Sequence, residues 1–536
     1  MLVCLIFKDL LLERAVGMSE VCVELVGKLV GEMLGLSKEE LSPSDNLISL
    51  GLGSLDIMRI AGLLTKNGCN VTFSELVSNP CMASWVNFAR ERSARSSSNG
   101  SPLLGSANYS KGDPFPITSV QHAYMVGRRD GQELGGTACH AYMEFECGSL
   151  DAAKLERAVE LLILRHPMLR ARFSDDGTAR IEDKVTWKGL TTYRVEGAGN
   201  PDSRIEGIRQ ELSHLRFDIE QDDLIDVRLT VVSPKRTIMH INVDLLAADV
   251  LSIQVLLEDL AHLYDGTDLA PIEIDFMEYA RRTGIGEDAR NEDREYWLNR
   301  IDNMPGGPSL PLKAPMESVK RSQFTRMEYL IDSKSWKNFT EKGRQIGVTQ
   351  SMGIAAVYAK ALSRWSEDKK FLLNLPLFNR KPIHPDVDKI VSDFTSLILL
   401  EADCANAISL LELASQMQGR FQQDVAHSSF GAVEVLRELS HRCPNDPKKA
   451  PVVFASNIGT QFISNKVEDV FGPLSKMLAE TPQVLLDHQI YDHKNGLLLA
   501  WDYVSELLDD KIAKQMFEAY CTAVRFYCEN DWSEPF

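Results

Sequence analysis

Val21, Val23, Leu25, Val26, Leu29, Val30 and Met33 fall on one broad face at helical spacing, and Gly35 closes the run. A second helical pattern follows Ser54 through Leu55, Ile57, Met58, Ile60, Leu63 and Leu64, and stops at Asn67-Gly68. Serine is a favoured first cap, and Gly51 and Gly53 before it permit a sharp turn from loop to helix. Shorter helices are expected at Phe73–Val77 and Met82–Arg90. The pattern therefore predicts a small bundle of four helices. Beyond residue 113 the periodicity alternates. Ala141–Glu146, Ile238–Val243, Phe371–Pro376 and Leu497–Tyr503 read as strands, while Asp151–Arg165, Val250–Tyr264, Gln350–Arg364 and Asp509–Cys528 read as helices. The fold class is α+β overall: a helical bundle followed by an α/β fold with substantial sheets.

Ser, Gly and Asn dominate residues 94–112, which carry no apolar periodicity and read as a flexible linker. It separates a unit at 19–93 from the remainder. That remainder exceeds what one hydrophobic core holds, so two lobes are expected, 113–285 and 286–536. No repeat at solenoid period is present.

Composition narrows the function classes. Hydrophobic residues make up 44% and charged residues 25% of the 536, an ordinary soluble balance. A formal charge of -18 argues against nucleic acid and anionic membrane as partners. Ten cysteines form no CxxC pair, so reduced thiols and no metal centre are expected. Met1–Phe7 is apolar but too short to span a bilayer and lacks a signal-peptide pattern, and it reads as a leader upstream of a start at Met18. No other run approaches membrane length, which makes a cytoplasmic protein the expectation.

A serine at a helix start is either a plain cap or an attachment point. Its context is Asp45-Asn46-Leu47-Ile48-Ser49-Leu50-Gly51-Leu52-Gly53-Ser54-Leu55, followed by Thr72-Phe73-Ser74-Glu75-Leu76 and Asn79-Pro80 with Trp85. This text resembles the signature of aryl and peptidyl carrier domains over about 70 residues. The resemblance implies a 4'-phosphopantetheine arm on Ser54, attached by a phosphopantetheinyl transferase, and the early position fits a loading role. Gly53 stands where that family usually has Asp, so a negative group beside the arm is lost.

A second set of motifs fills the larger part. Pro114-Phe115-Pro116-Ile117-Thr118, Gln121-His122-Ala123-Tyr124, Arg165-His166-Pro167 and Pro308-Ser309-Leu310-Pro311-Leu312 are joined by Asp244-Leu-Leu-Ala-Ala-Asp249-Val-Leu-Ser252. Asn374, Phe378-Asn379-Arg380, Asp393-Phe394-Thr395-Ser396, Pro451 through Asn457 and Asp487-His488-Gln489 complete the series. Together they resemble heterocyclisation domains, the branch of nonribosomal condensation domains that makes thiazoline and oxazoline rings. That implies the two-lobed chloramphenicol-acetyltransferase-like fold with its site between the lobes. Ordinary condensation domains carry HHxxxDG where this chain has DxxxxDxxS. From the residues alone, the two carboxylates could act as bases or hold a strand-to-helix junction. Asp249 is read as structural, paired with Arg380 and grouped with Ser252. Asp244 stays open between the two roles and is kept as a catalytic candidate.

Ring formation first joins a carrier-bound Cys, Ser or Thr amine to an upstream thioester, a step that positioning alone can largely supply. Cyclodehydration then needs protons moved, because an amide carbonyl is a poor electrophile and hydroxide a poor leaving group. The resemblance implies Asp487 for that work, with Asn374 and, more weakly, Gln489 positioning the intermediate. The family's usual Thr beside that aspartate is Ala455 here, and a methyl neither donates nor accepts a hydrogen bond. Ser456, one residue on, should face the opposite side of the strand. Pro376 also replaces a usual Thr. Three readings follow: condensation with ring closure in siderophore-type biosynthesis, condensation alone, and a non-catalytic carrier and docking unit. The first two require a downstream aminoacyl carrier. They also require an aryl-activating adenylation enzyme in trans, since no adenylation signature is present.

Overall fold

The computed structural model describes residues 23–34, 36–37, 41–52, 54–66, 69, 71, 73–95, 112–195, 200–284, 287–378, 380–381, 383–442 and 448–536. The expectations for Met1–Phe7, Met18, Gly53 and most of the 94–112 linker lie outside those residues. Helices at 23–34, Ser54–Lys66, Phe73–Ser78 and Met82–Arg95 make the N-terminal bundle. They gather around Val26, Val30, Leu47, Ile57, Ile60, Leu64, Leu76 and Trp85, all buried. The Trp85 indole donates to the Leu76 carbonyl at 2.9 Å, which satisfies its one polar atom inside this core. Cys69 is disulfide-bonded, and the other six described cysteines are free. This corrects the expectation that all cysteines are thiols.

The larger part holds three sheets among the described residues. A five-stranded sheet runs β12 (Leu474–Glu480), β2 (His140–Cys147), β7 (Arg236–Asp244), β6 (Ile225–Ser233) and β5 (Thr191–Arg194). A six-stranded sheet runs β10 (Thr395–Asp403), β9 (Lys370–Phe378), β11 (Val452–Gln461), β13 (Leu486–His493), β14 (Gly496–Val504) and β8 (Phe324–Asp332). A small third sheet joins β1 (Phe115–Pro116), β4 (Thr178–Ile181) and β3 (Ala171–Ser174). The α+β class expected from periodicity is the class observed.

Each lobe has its own core. Helices Ala152–Arg165 and Val250–Tyr264 cover the five-stranded sheet through Leu155, Val159, Leu162, Ile253, Leu256 and Leu260. Asp151 and Asp249 cap these two helices with their carboxylates, and His166-Pro167 ends the first. Behind the six-stranded sheet, the helix Gln350–Ser363 is buried on nearly all sides. It packs with Leu410–Val425 and Asp510–Glu529.

The chain does not divide linearly at residue 285. The strand β12, from the late part of the sequence, pairs antiparallel with β2 and completes the early lobe's sheet. Gly472, at φ 79°, lets the chain enter that edge: a Cβ there would overlap the Glu146 carbonyl. The N-terminal bundle also packs on the second lobe, with Arg344 donating to the Leu50 carbonyl at 3.2 Å. The helix Phe73–Ser78 lies along Leu410–Val425.

Candidate active site

Strand alternation builds the site. On β13, Asp487, Gln489 and Tyr491 face one way, while His488 faces the core and anchors the strand. Its two ring nitrogens meet the Tyr520 hydroxyl at 2.7 Å and the Ala500 carbonyl at 3.0 Å. Burial pushes its pKa down to about 3, so it stays neutral there. The neighbouring β11 runs parallel, with Val453 opposite Asp487 and Ala455 opposite Gln489. On the far side, β9 meets β11 in register only at Asn374 and Val453. Two residues further along β9, Pro376 offers no N–H to continue a ladder.

These residues wall a cavity of about 520 Å³. Asn374, Pro376, Val453, Ala455, Asn457, Asp487, Gln489 and Tyr491 form its six-stranded side. Tyr124, Leu134, Asp249, Asp393 and Gln483 close it from other elements. Leu134 and Gln483 are the two described non-glycine residues with positive φ (52° and 65°), and the Gln483 N–H donates to the Leu134 carbonyl at 2.7 Å. That latch between the lobes holds two sparsely populated conformations, a cost that concentrates at functional sites.

Asp487 has one oxygen held and one free. Its Oδ2 accepts from the Gln489 amide at 2.5 Å, while buried Oδ1 has no partner. Gln489 is fixed in turn, its Oε1 accepting from the Tyr491 hydroxyl and from Arg326 at 3.0 Å. Arg326 does not ion-pair with Asp487. Its guanidinium is engaged by Asp502 at 2.7 Å and 2.5 Å. Burial first, then the Asp502 charge, pushes Asp487 up to about 7, and the Gln489 bond and Arg326 offset this only in part. A carboxyl so poised can give and take protons at neutral pH.

Other orphan atoms face the same space. Asn374 Oδ1, Asn457 Oδ1 and Asp393 Oδ2 are buried without partners. With Asp487 Oδ1 they make four acceptors, so a fitting substrate must bring donors: an amine, a hydroxyl or an amide N–H.

The DxxxxDxxS motif is placed differently. Asp249 caps the helix Val250–Tyr264 through Ser252 N at 2.7 Å and pairs with Arg380 at 2.9 Å. Ser252 Oγ accepts from Arg380 at 2.9 Å and donates to the Ser392 carbonyl at 2.7 Å. Nη1 of Arg380 donates to the carbonyls of Val387, Asp388 and Ile390, while its Nε is buried without a partner. Asp244 is fully buried and clamped by Arg128 at 2.7 Å, with its other oxygen accepting from Leu246 N at 3.1 Å. It is not among the residues that wall the cavity.

Ser456 points to the other face of β11. There its hydroxyl meets that of Ser351 at 2.7 Å, in a second cavity of about 310 Å³. Gly51 and Asp56, which flank the start of the helix Ser54–Lys66, line this second cavity with Trp336, Leu375 and Ile458. Pro376 and Phe378 line both cavities. Among the described residues no group of His, Cys, Asp and Glu is arranged to hold a metal ion, and no helix is long and apolar enough to cross a membrane.

Asp487, Asn374, Gln489 and Ala455, expected from the sequence, share one wall; Arg326 and Tyr491 were not expected, and Tyr124 and Asp393 were named within motifs without a role at the site. Tyr491 carries a legible signal, since Asp487, Gln489 and Tyr491 repeat at period two along one strand. Arg326, on β8, carries none.

Known proteins bear on this geometry. The condensation-domain family matches residues 115–529, and the phosphopantetheine attachment site matches 24–89. Phenyloxazoline synthase MbtB of Mycobacterium sp. is 35% identical over 493 residues, covering 91% of this chain and 42% of that protein. Pyochelin synthetase PchE of Pseudomonas aeruginosa is 33% identical over 520 residues, covering 96% of this chain and 36% of that protein. The chain thus spans less than half the length of these relatives. Among solved structures, the cyclization-docking bidomain of the EpoB nonribosomal synthetase from Sorangium cellulosum superposes with a TM-score of 0.74 at 29% identity. That match covers 85% of this chain and 93% of the bidomain. With a carrier-type bundle packed on a two-lobed domain and a cavity walled by its six-stranded sheet, the chain belongs to the condensation-domain family of nonribosomal peptide synthetases, joined to a phosphopantetheine-attachment domain.

Proposed function

We propose that the chain joins an aryl or acyl group, held as a thioester on a Ser54 phosphopantetheine arm, to Cys, Ser or Thr on a downstream carrier. The linear amide is then closed to a thiazoline or oxazoline. The carrying observation is Asp487, a buried carboxyl with a free oxygen on the cavity wall and a pKa pushed to neutrality. Cyclodehydration asks one group to donate a proton to the departing oxygen and to accept one from the attacking hydroxyl or thiol. A half-protonated carboxyl on the same wall as Asn374, one strand away across Val453, suits both tasks. Gln489 holds the other Asp487 oxygen still, and Asp249, Ser252 and Arg380 brace the helix and loop that frame the cavity. Asp244 belongs with Arg128 to the same bracing.

The position of the bundle supports delivery from Ser54. Gly51 and Asp56 bracket its helix start at the second cavity, and Pro376 and Phe378 line both that cavity and the first. The 4'-phosphopantetheine arm would supply the thioester and its reach. The partners that follow are a phosphopantetheinyl transferase, an aryl-activating adenylation enzyme and an aminoacyl carrier, all in the cytoplasm. The name of one relative, a phenyloxazoline synthase, supports oxazoline chemistry.

A second reading, amide formation without ring closure, rests on Ala455. Its methyl lies opposite Gln489 and puts no hydroxyl into the Asp487 network. Loading both carriers and weighing the product on the downstream arm separates the readings. Amide less one water supports ring closure. Intact amide supports condensation alone, and unreacted thioester leaves only a docking unit.

A further inference from the structure

Asp393 is a further carboxyl in the cavity wall, and neither the Asp249–Arg380 pair nor the Asp487 network uses it. It is 1% exposed. Its Oδ1 accepts from Thr395 N at 3.0 Å, while Oδ2 is buried without a partner. The nearest guanidinium does not serve it. Arg380 lies over the Phe394 ring at 4.3 Å, and its hydrogen bonds go to Asp249, Ser252 and backbone carbonyls. Across the cavity, Tyr124 feels both Asp393 and Asp487, and Cys139 feels Asp393 and Asp244. The groups facing Asp393 are therefore Asp249 and Thr395 on its own side and Tyr124, Cys139 and Asp487 opposite. None is a cation.

A buried carboxyl without a positive partner is a costly arrangement, and it is stabilised when a cation arrives. The reaction delivers one. An aminoacyl thioester enters with an α-ammonium, which must lose a proton before its nitrogen can attack. We propose that Asp393 is the catalytic residue that receives the acceptor's α-ammonium and takes its proton for amide formation. This rests on the functional reading above and divides its two steps between two carboxyls.

Ionised Asp393 binds the ammonium and accepts one proton. The amine nitrogen attacks the donor thioester carbon, the C–N bond forms and the C–S bond breaks. The arm's sulfur departs with the electron pair and takes a second proton from nitrogen, leaving one on the amide. Asp393 then releases its proton to solvent. Asp487 acts afterwards, on the hydroxyl or thiol and the departing water. Burial, with the Asp249 charge adding to it, pushes Asp393 up to about 7, a suitable affinity for that exchange.

The test is Asp393→Asn in the full chain. Amide formation with the aminoacyl-loaded downstream carrier is followed by mass from mildly acidic to mildly alkaline pH, and thermal melting confirms the fold. The expected result is a loss of roughly tenfold to a hundredfold at neutral pH. The rate should also climb at more alkaline pH than in the parent, where the substrate amine deprotonates unaided. Full rate with an unshifted profile overturns the inference and leaves the functional reading standing. A lower rate with an unshifted profile marks a packing role and overturns it as well. No amide from the parent chain overturns the functional reading, and this inference with it.

Discussion

Ala455 stands directly opposite Gln489 in the parallel ladder of β11 and β13. Its methyl therefore lies beside the amide that fixes Asp487, on the cavity side of the sheet. Ala455→Thr restores a hydroxyl at that place, next to open space and not to packed core. The ratio of ring to linear amide should rise about tenfold, within the range one positioned proton-transfer group supplies. Product mass on the acceptor arm reads this out, and an unchanged ratio would show that Ala455 does not limit closure.

Asp487→Asn should separate the two steps. Ring closure is expected to drop about a hundredfold while amide formation persists near the parent rate. Equal loss of both would assign Asp487 to binding and not to dehydration.

The same variant has a pH signature in stability. An unfolded aspartate titrates near ~3.9, whereas Asp487 in the fold holds its proton up to about 7. The fold therefore binds the extra proton between these values, so stability is intact below the lower one and erodes as pH rises through the higher. Asp487→Asn removes the erosion. Its melting temperature should match the parent in acid and exceed it by about 2–4 °C above neutrality, measured by thermal scans across pH.

Arg380→Ala leaves Asp249 buried without its cation and Ser252 with the Ser392 N–H as its remaining donor. Breaking such a pair costs about 3–5 kcal/mol, and denaturant titration should show the loss. For Arg128 and Asp244 the contrast is informative. The double replacement Arg128→Met with Asp244→Leu removes both charges together, so the expected change in stability is small and amide formation should survive. Abolished amide formation in a well-folded double variant would return Asp244 to the chemistry.

Arg344→Glu sets a negative charge against the Leu50 carbonyl that the arginine now holds. Transfer from the tethered Ser54 arm should slow, whereas a soluble donor thioester in excess should react at the parent rate. Equal slowing of both would place the effect in the large domain itself.

How much of this was legible beforehand follows from the range of each interaction. The β2, β7, β9 and β14 patterns announced their strands within a residue or two, because burial on a pleated sheet leaves its mark locally. The opposite facing of Ala455 and Ser456 was legible for the same reason, and Ser456 does lie in the other cavity. The environment of Asp487 was not. It depends on Arg326, on a strand 163 residues from Gln489, already being engaged by Asp502. The isolation of Asp393 is harder still to read, since it consists of cations directed elsewhere. Asp244 shows the converse: a motif carboxylate that Arg128, 116 residues away, turns into a brace.

The return of β12 to the edge of β2 has a consequence for synthesis. Ser475 reaches the Glu144 carbonyl from 331 residues further along the chain. An emerging polypeptide thus carries an early sheet with one open edge until most of the second lobe has been made. Pairing over such separation is slow to form, so the early lobe would wait, exposed to wrong partners, for a strand encoded near the far end. Truncation before Leu474 would leave that edge permanently unfilled, and the shortened protein should aggregate where the longer one folds.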